Sequence, residues 1–239
     1  MDTTVAAALG LGFVLGLRHA LDPDHVVAVS TIVSEQNSLA RSSLVGTFWG
    51  LGHSASLFAV GLVIVLLRVS IPEHVLPWME MPVAAMLILL GISAVRRAVR
   101  ERGMQIHTHV HEHGDKPHSH VHVHVGEEHN HMHRMFKIGR KPFAVGLVHG
   151  FAGSAALTLL VLAQIPSVAL GLVYMAVFGI GSIGGMLLMS AMISVPFVLT
   201  ASRFEVINNA IRLSAGLFSL GFGLMIAWEL LHEVFATGS

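Results

Sequence analysis

Between Val5 and Ile32 the chain reads as a membrane span, yet its middle carries Arg18, His19, Asp22, Asp24 and His25 around Pro23. A charged side chain at the centre of a bilayer costs about 2.5–3.5 kcal/mol on an insertion scale. Five ionisable groups at that depth are tolerated only if they turn inward around a partner. On an unbroken helix of about 100° per residue, His19, Asp22 and His25 share one arc while Asp24 falls nearly opposite. Pro23 cannot donate to the carbonyl of His19 and crowds it, so a kink is expected that swings Asp24 inward. Nitrogen and oxygen donors without a thiolate suit nickel, cobalt or zinc better than copper(I). The plainer alternative is an internal ion pair between Arg18 and Asp22, spaced i,i+4, with the histidines as hydrogen-bonded packing.

The rest of the chain fits a bilayer. It is 54% hydrophobic and 12% charged, against roughly 25% charged for a soluble domain. Zero formal net charge gives no case for nucleic acid, and the lack of cysteine removes disulfides and thiolate sites. The first residues lack a basic n-region, so the first span is expected to stay in the mature protein. Six segments reach spanning length, near 5–32, 43–67, 79–99, 142–164, 168–199 and 207–232, with Pro196 predicting a bend or a short interfacial piece near the end of the fifth. Nine of the 14 Lys and Arg lie between Arg96 and Lys141. The positive-inside rule therefore puts the central loop in the cytoplasm and both termini outside, with Arg68 the one dissenting charge.

Three echoes divide the chain in two. Gly16-Leu17-Arg18-His19-Ala20 is matched by Gly146-Leu147-Val148-His149-Gly150, 130 residues on, and Leu90-Gly91 by Leu220-Gly221 at the same offset. Phe48-Trp49-Gly50-Leu51-Gly52 is matched by Val177-Phe178-Gly179-Ile180-Gly181 at 129. Three spans per copy force the second to enter the membrane from the opposite side. The expected fold is an all-α membrane protein of six transmembrane helices, built as two inverted three-helix repeats with a His-rich cytoplasmic loop. The divisions are 1–99, the His-rich loop at 100–141, expected to be disordered without metal, and 142–239.

Two more histidines sit within spans. His53 lies beside the small-residue stripe Ser42, Gly46, Gly50 and Ser54, where another helix can approach closely, and is a candidate third imidazole ligand. His149, the counterpart of His19, is a candidate to line the same cavity from the other half. Gly181, Gly184 and Gly185, and Met186, Met189 and Met192, read as packing. The loop holds eleven of 17 histidines: His107, His109, His111, His113, His118, His120, His122, His124, His129, His131 and His133. Histidine tracts of this kind bind divalent metal, here as a buffer or sensor.

The residues His19-Ala20-Leu21-Asp22-Pro23-Asp24-His25 resemble the H-A-x-D-A-D-H signature of the nickel/cobalt permeases, and Leu51-Gly52-His53-Ser54 resembles their second histidine motif. The likeness is nearest to the shorter six-span, urease-accessory branch of the nickel/cobalt transporter superfamily. It implies that His19, Asp22, Asp24 and His25 are essential for transport and that His53 helps select the metal. The permeases carry eight spans and later acidic motifs, whereas the fourth span here has none. The efflux branch also has a His-rich loop, but its first-span motif resembles H-G-L-E-P-G-H.

The expectation is a secondary transporter, not an enzyme, in a bacterial cytoplasmic membrane. It would carry Ni(II) or Co(II) inward as cargo, with no prosthetic group, to a cytoplasmic nickel chaperone or urease accessory proteins. Its metal site would comprise His19, Asp22, Asp24, His25, His53 and His149. No G-x-x-x-x-G-K-[ST] loop occurs, so energy would come from a gradient or a partner. Efflux of nickel, cobalt or zinc, and metal delivery without transport, are the alternatives.

Overall fold

A computed structural model of the chain describes residues 3–36, 38–67, 72–103, 131–152, 167–201 and 204–237. Its elements are α1 (Thr3–His19), α2 (Pro23–Val33), α3 (Leu39–Leu67), a 3-10 turn (Glu73–Val75), α4 (Leu76–Gly103), α5 (His131–Ala152), α6 (Val168–Ala201) and α7 (Glu205–Thr237). Among the described residues there is no strand. Four helices, α3, α4, α6 and α7, are long and apolar enough to cross a membrane, and α1 with α2 makes a fifth if the bent pair is one span. The expected fourth span falls partly on α5, and its remainder, 153–166, lies outside the described residues. The bend expected at Pro196 is not a break, because α6 continues to Ala201. The Thr200 hydroxyl donates to the Pro196 carbonyl at 2.7 Å.

Local chemistry explains the interruption in the first span. Leu21 and Asp22 donate backwards to the Arg18 and His19 carbonyls (2.8 and 3.1 Å), closing α1 with tight turns. Asp22 then takes an extended conformation, φ −60° and ψ 142°, as the residue before α2. Pro23 opens α2, where its missing N–H would have lacked an intrahelical acceptor anyway. The two axes differ by 53°. α2 is eleven residues long and buries His25, Val27, Ala28, Val29, Thr31, Ile32 and Val33. Ser30, Thr31 and Ser34 satisfy their hydroxyls on carbonyls of their own helix, which lets an apolar setting accept them.

Helix packing depends on missing side chains. A Cβ on Gly16 would strike the Phe178 carbonyl of α6, and one on Gly181 would strike the Phe13 carbonyl of α1. The pair α3–α5 repeats this arrangement: Gly52 abuts the Phe143 carbonyl and Gly146 abuts the Trp49 carbonyl. The small-residue stripe on α3 meets α6, with Gly46 against Met186 and Ser190 and the Ser54 hydroxyl on the Gly179 carbonyl at 3.1 Å. Gly91 of α4 lies against Gly216 and Leu220 of α7, and Ser219 donates to the Leu87 carbonyl at 2.9 Å. Close backbone approach of this kind is how helices associate where lipid removes the hydrophobic drive between them.

Large apolar side chains such as Leu89, Ile180, Leu199 and Trp228 point outward, as a bilayer-facing surface requires. Met186 and Met189 pack inside as expected, whereas Met192 is exposed and belongs to the outer surface. Just beyond α2, Glu35 pairs with Arg97 of α4 at 3.0 Å and lies 3.8 Å from Lys141 of α5.

Candidate metal site

The break after α1 concentrates polar groups at one depth. His19 is the last residue of α1, and Asp24 and His25 lie in the first turn of α2. The C-terminal end of one helix, which favours cations, thus meets the N-terminal end of another, which favours anions. His53 comes from α3 and His149 from α5. His25, His53 and His149 are at most 1% exposed and His19 is 9% exposed. Buried imidazoles at this density demand partners.

Each partner can be traced. The His19 Nδ1 is 2.7 Å from Asp22 Oδ2, so an Nδ1–H donated to that carboxylate leaves the lone pair on Nε2. That Nε2 lies 3.1 Å from His53 Nε2, which is the donor of the pair with this tautomer of His19. Asp24 Oδ1 accepts from the His25 backbone N–H (2.9 Å) and from His25 Nδ1 (3.0 Å). Its other oxygen accepts from His149 Nε2 at 2.8 Å. His25 stacks on His149 with centroids 3.9 Å apart and meets His19 edge-on at 4.6 Å.

Donor atoms of His19, His25 and His53 all lie within 4.8 Å of one another, and so do those of Asp24, His25 and His149. The buried atoms His25 Nε2, His53 Nδ1, His149 Nδ1 and Trp49 Nε1 have no hydrogen-bond partner among the described residues. An unsatisfied buried polar atom costs about 1–3 kcal/mol. Such a set is expensive for packing alone, and its chemistry suits a borderline divalent ion.

Of the six candidate residues, the fold brings His19, Asp24, His25, His53 and His149 into the two groups. Asp22 stands outside both, half-exposed, and holds the far edge of the His19 ring. It pairs with His19, and no Arg18 ion pair is found among the described residues. Asp24, opposite on an unbroken wheel, is inward because α2 starts afresh at a new angle.

Two aromatic residues that the sequence marks only as part of the internal echo border the site. Trp49, fully buried, lies over His25 and His149 with centroids 6.3 and 5.7 Å away, and Phe178 lies 5.5 Å from His19. Trp49 is four residues before His53, one helical turn along the same face, and that spacing was the available signal. In the loop, His107, His109, His111, His113, His118, His120, His122, His124 and His129 lie outside the described residues. His131 and His133 fall in the first turn of α5, outside the described side chains.

Comparison with known proteins agrees with this chemistry. The UreH urease accessory protein of Bacillus sp. (strain TB-90) is 36% identical over 222 residues, which is 93% of this chain and 91% of that one. Two Arabidopsis thaliana proteins, Chloroplast protein FOR GROWTH AND FERTILITY 1 and 2, are 27% and 26% identical over 219 and 228 residues. These alignments take in 90% and 95% of this chain but 57% of each chloroplast protein, so the chain spans little more than half their length. No solved structure matches. The NicO profile, described as high-affinity nickel-transport protein, matches residues 5–204. The chain is a multi-pass membrane protein and belongs to the NicO nickel-transport family.

Proposed function

We propose that the protein is a secondary transporter that carries Ni(II), and Co(II) as a second cargo, inward across a bacterial cytoplasmic membrane. The observation that carries this reading is the buried convergence of four imidazoles and one carboxylate from α1, α2, α3 and α5. A partly dehydrated ion would exchange water for His19, Asp24, His25, His53 and His149, with Asp22 orienting His19 from behind. No resident cofactor is needed, since the metal is the substrate. Inward direction follows the first-span motif, which resembles the permeases and not the efflux branch.

In the same reading, residues 1–99 and 142–239 are inverted repeats of three spans each, with the site between them. The support is reciprocity. Gly16 and Gly146 occupy matching sequence positions, and each seats a first span on the second span of the other half. The excess of Lys and Arg around the 100–141 loop supports a cytoplasmic loop with both termini outside. The loop histidines would receive the ion there and pass it to a chaperone or to urease accessory proteins.

Nickel flux into vesicles reconstituted with the purified protein tests the proposal. Inward flux that disappears in His25→Ala supports it, and flux unchanged in that variant overturns the site. One other reading has a specific observation behind it, the similarity to a urease accessory protein: membrane-bound metal delivery without transport. Tight nickel binding with no flux in the same vesicles would favour delivery. Nickel hypersensitivity of a deletion strain would favour efflux, and zinc competition in the assay would widen the cargo.

A further inference from the structure

The geometry points to two overlapping metal positions that share His25, so that only one of them is filled at a time. The inference rests on the transport reading and deepens it. The first position is framed by His19, His25 and His53, the second by Asp24, His25 and His149, and within each the donor atoms lie inside 4.8 Å of one another. His25 belongs to both.

The ring of His25 is placed for this role. Its Nδ1 is 3.0 Å from Asp24 Oδ1, on the side of the second position. Its Nε2 is buried and without a hydrogen-bond partner among the described residues. The ring stacks on His149 at 3.9 Å and stands edge-on to His19 and His53, at 4.6 and 5.1 Å. With Nδ1–H donated to Asp24, the free lone pair is on Nε2, ready for the first position. A neutral imidazole offers one lone pair at a time, so the two positions exclude each other. Repulsion between two dications at this spacing in a poorly solvated interior acts in the same direction.

The positions also differ in kind. The first is three neutral nitrogens, and the second adds the Asp24 carboxylate. An ion in the second position has His149 and an anionic oxygen in place of His19 and His53.

The test uses full-length protein in which the eleven loop histidines are replaced by asparagine, with Co(II) alone as probe and its visible d–d spectrum as readout. The expected result is saturation at one Co(II) per chain. His53→Ala and His149→Ala should each still bind one Co(II), with different spectra, because each variant confines the ion to a different position. His25→Ala should weaken binding by at least about 100-fold, as removal of a ligand from both positions requires. Two Co(II) per chain in the parent, identical spectra for the two single variants, or retained affinity in His25→Ala would each overturn the shared-ligand proposal. The parent stoichiometry needs no substitution inside the site, so misfolding of a variant leaves that arm intact. Absent Co(II) and Ni(II) flux with this binding pattern would overturn the transport reading alone. Flux with two ions bound would overturn the shared ligand alone.

Discussion

The histidine at the end of α1 and the histidine near the end of α5 sit on comparable scaffolds and have different company. Gly16 and Gly146, three residues before His19 and His149, are each pressed against a carbonyl of the neighbouring long helix. Beyond His19 the chain turns, restarts at Pro23 and delivers Asp22, Asp24 and His25. The stretch after His149 that is described ends at Ala152 and brings no acid, so His149 takes its carboxylate from Asp24 of α2 at 2.8 Å. Likewise His53 follows Gly52 on α3, while the position after Gly181 on α6 is Ser182, buried and with its hydroxyl unpartnered among the described residues. Four of the five clustered donor residues, His19, Asp24, His25 and His53, precede the histidine-rich segment and one, His149, follows it, whereas tight glycine crossings occur on both sides of it. A ligand set needs only one copy of each donor, but every helix crossing needs its own small residue.

That contrast can be broken at several points. The largest effect is expected at Asp24, which joins the two halves: Asp24→Asn should lower nickel accumulation about 100-fold, since one oxygen orders His25 and the other His149. Near-normal uptake would mean the halves are not chemically joined there. Gly16→Ala and Gly146→Ala should each cost about 1–3 kcal/mol, because the added methyl meets backbone that cannot swing aside. Thermal unfolding in detergent measures this, and a penalty at one site without the other would undo the equivalence of the scaffolds. Asp22→Asn should weaken nickel binding about 10-fold by loosening the His19 ring. An effect as large as that of Asp24→Asn would instead make Asp22 a direct ligand. Ser182→Ala should change stability by less than about 1 kcal/mol and leave uptake unaltered, because it removes a hydroxyl that bonds nothing described. A clear loss of uptake would give α6 a donor and restore symmetry to the site.

Much of this was legible beforehand. Ionisable groups inside an apolar run announce an inward-facing cluster because lipid permits little else, and His19, His25, His53 and His149 are found together. The stripe of Ser42, Gly46, Gly50 and Ser54 announced a close crossing, and it meets α6. The division of labour between Asp22 and Asp24 was harder to read. A wheel assumes one axis, whereas residues 20–22 belong to no helix and the next axis turns by 53°. Trp49 was hidden for a different reason: an apolar residue in an apolar helix carries no mark of the company it keeps.

Glu35, near the far end of α2, has a consequence for the near end. α2 is a single eleven-residue helix, about 16 Å long at 1.5 Å per residue. Asp24 and His25 stand at its start, and beyond its last turn Glu35 grips Arg97 and approaches Lys141. Those two cations sit on the stems of α4 and α5, which lead into and out of the histidine-rich segment. The depth and tilt of the imidazole and the acid are therefore set from both directions: by the turn at Pro23 on one side, and on the other by two cations about 16 Å away.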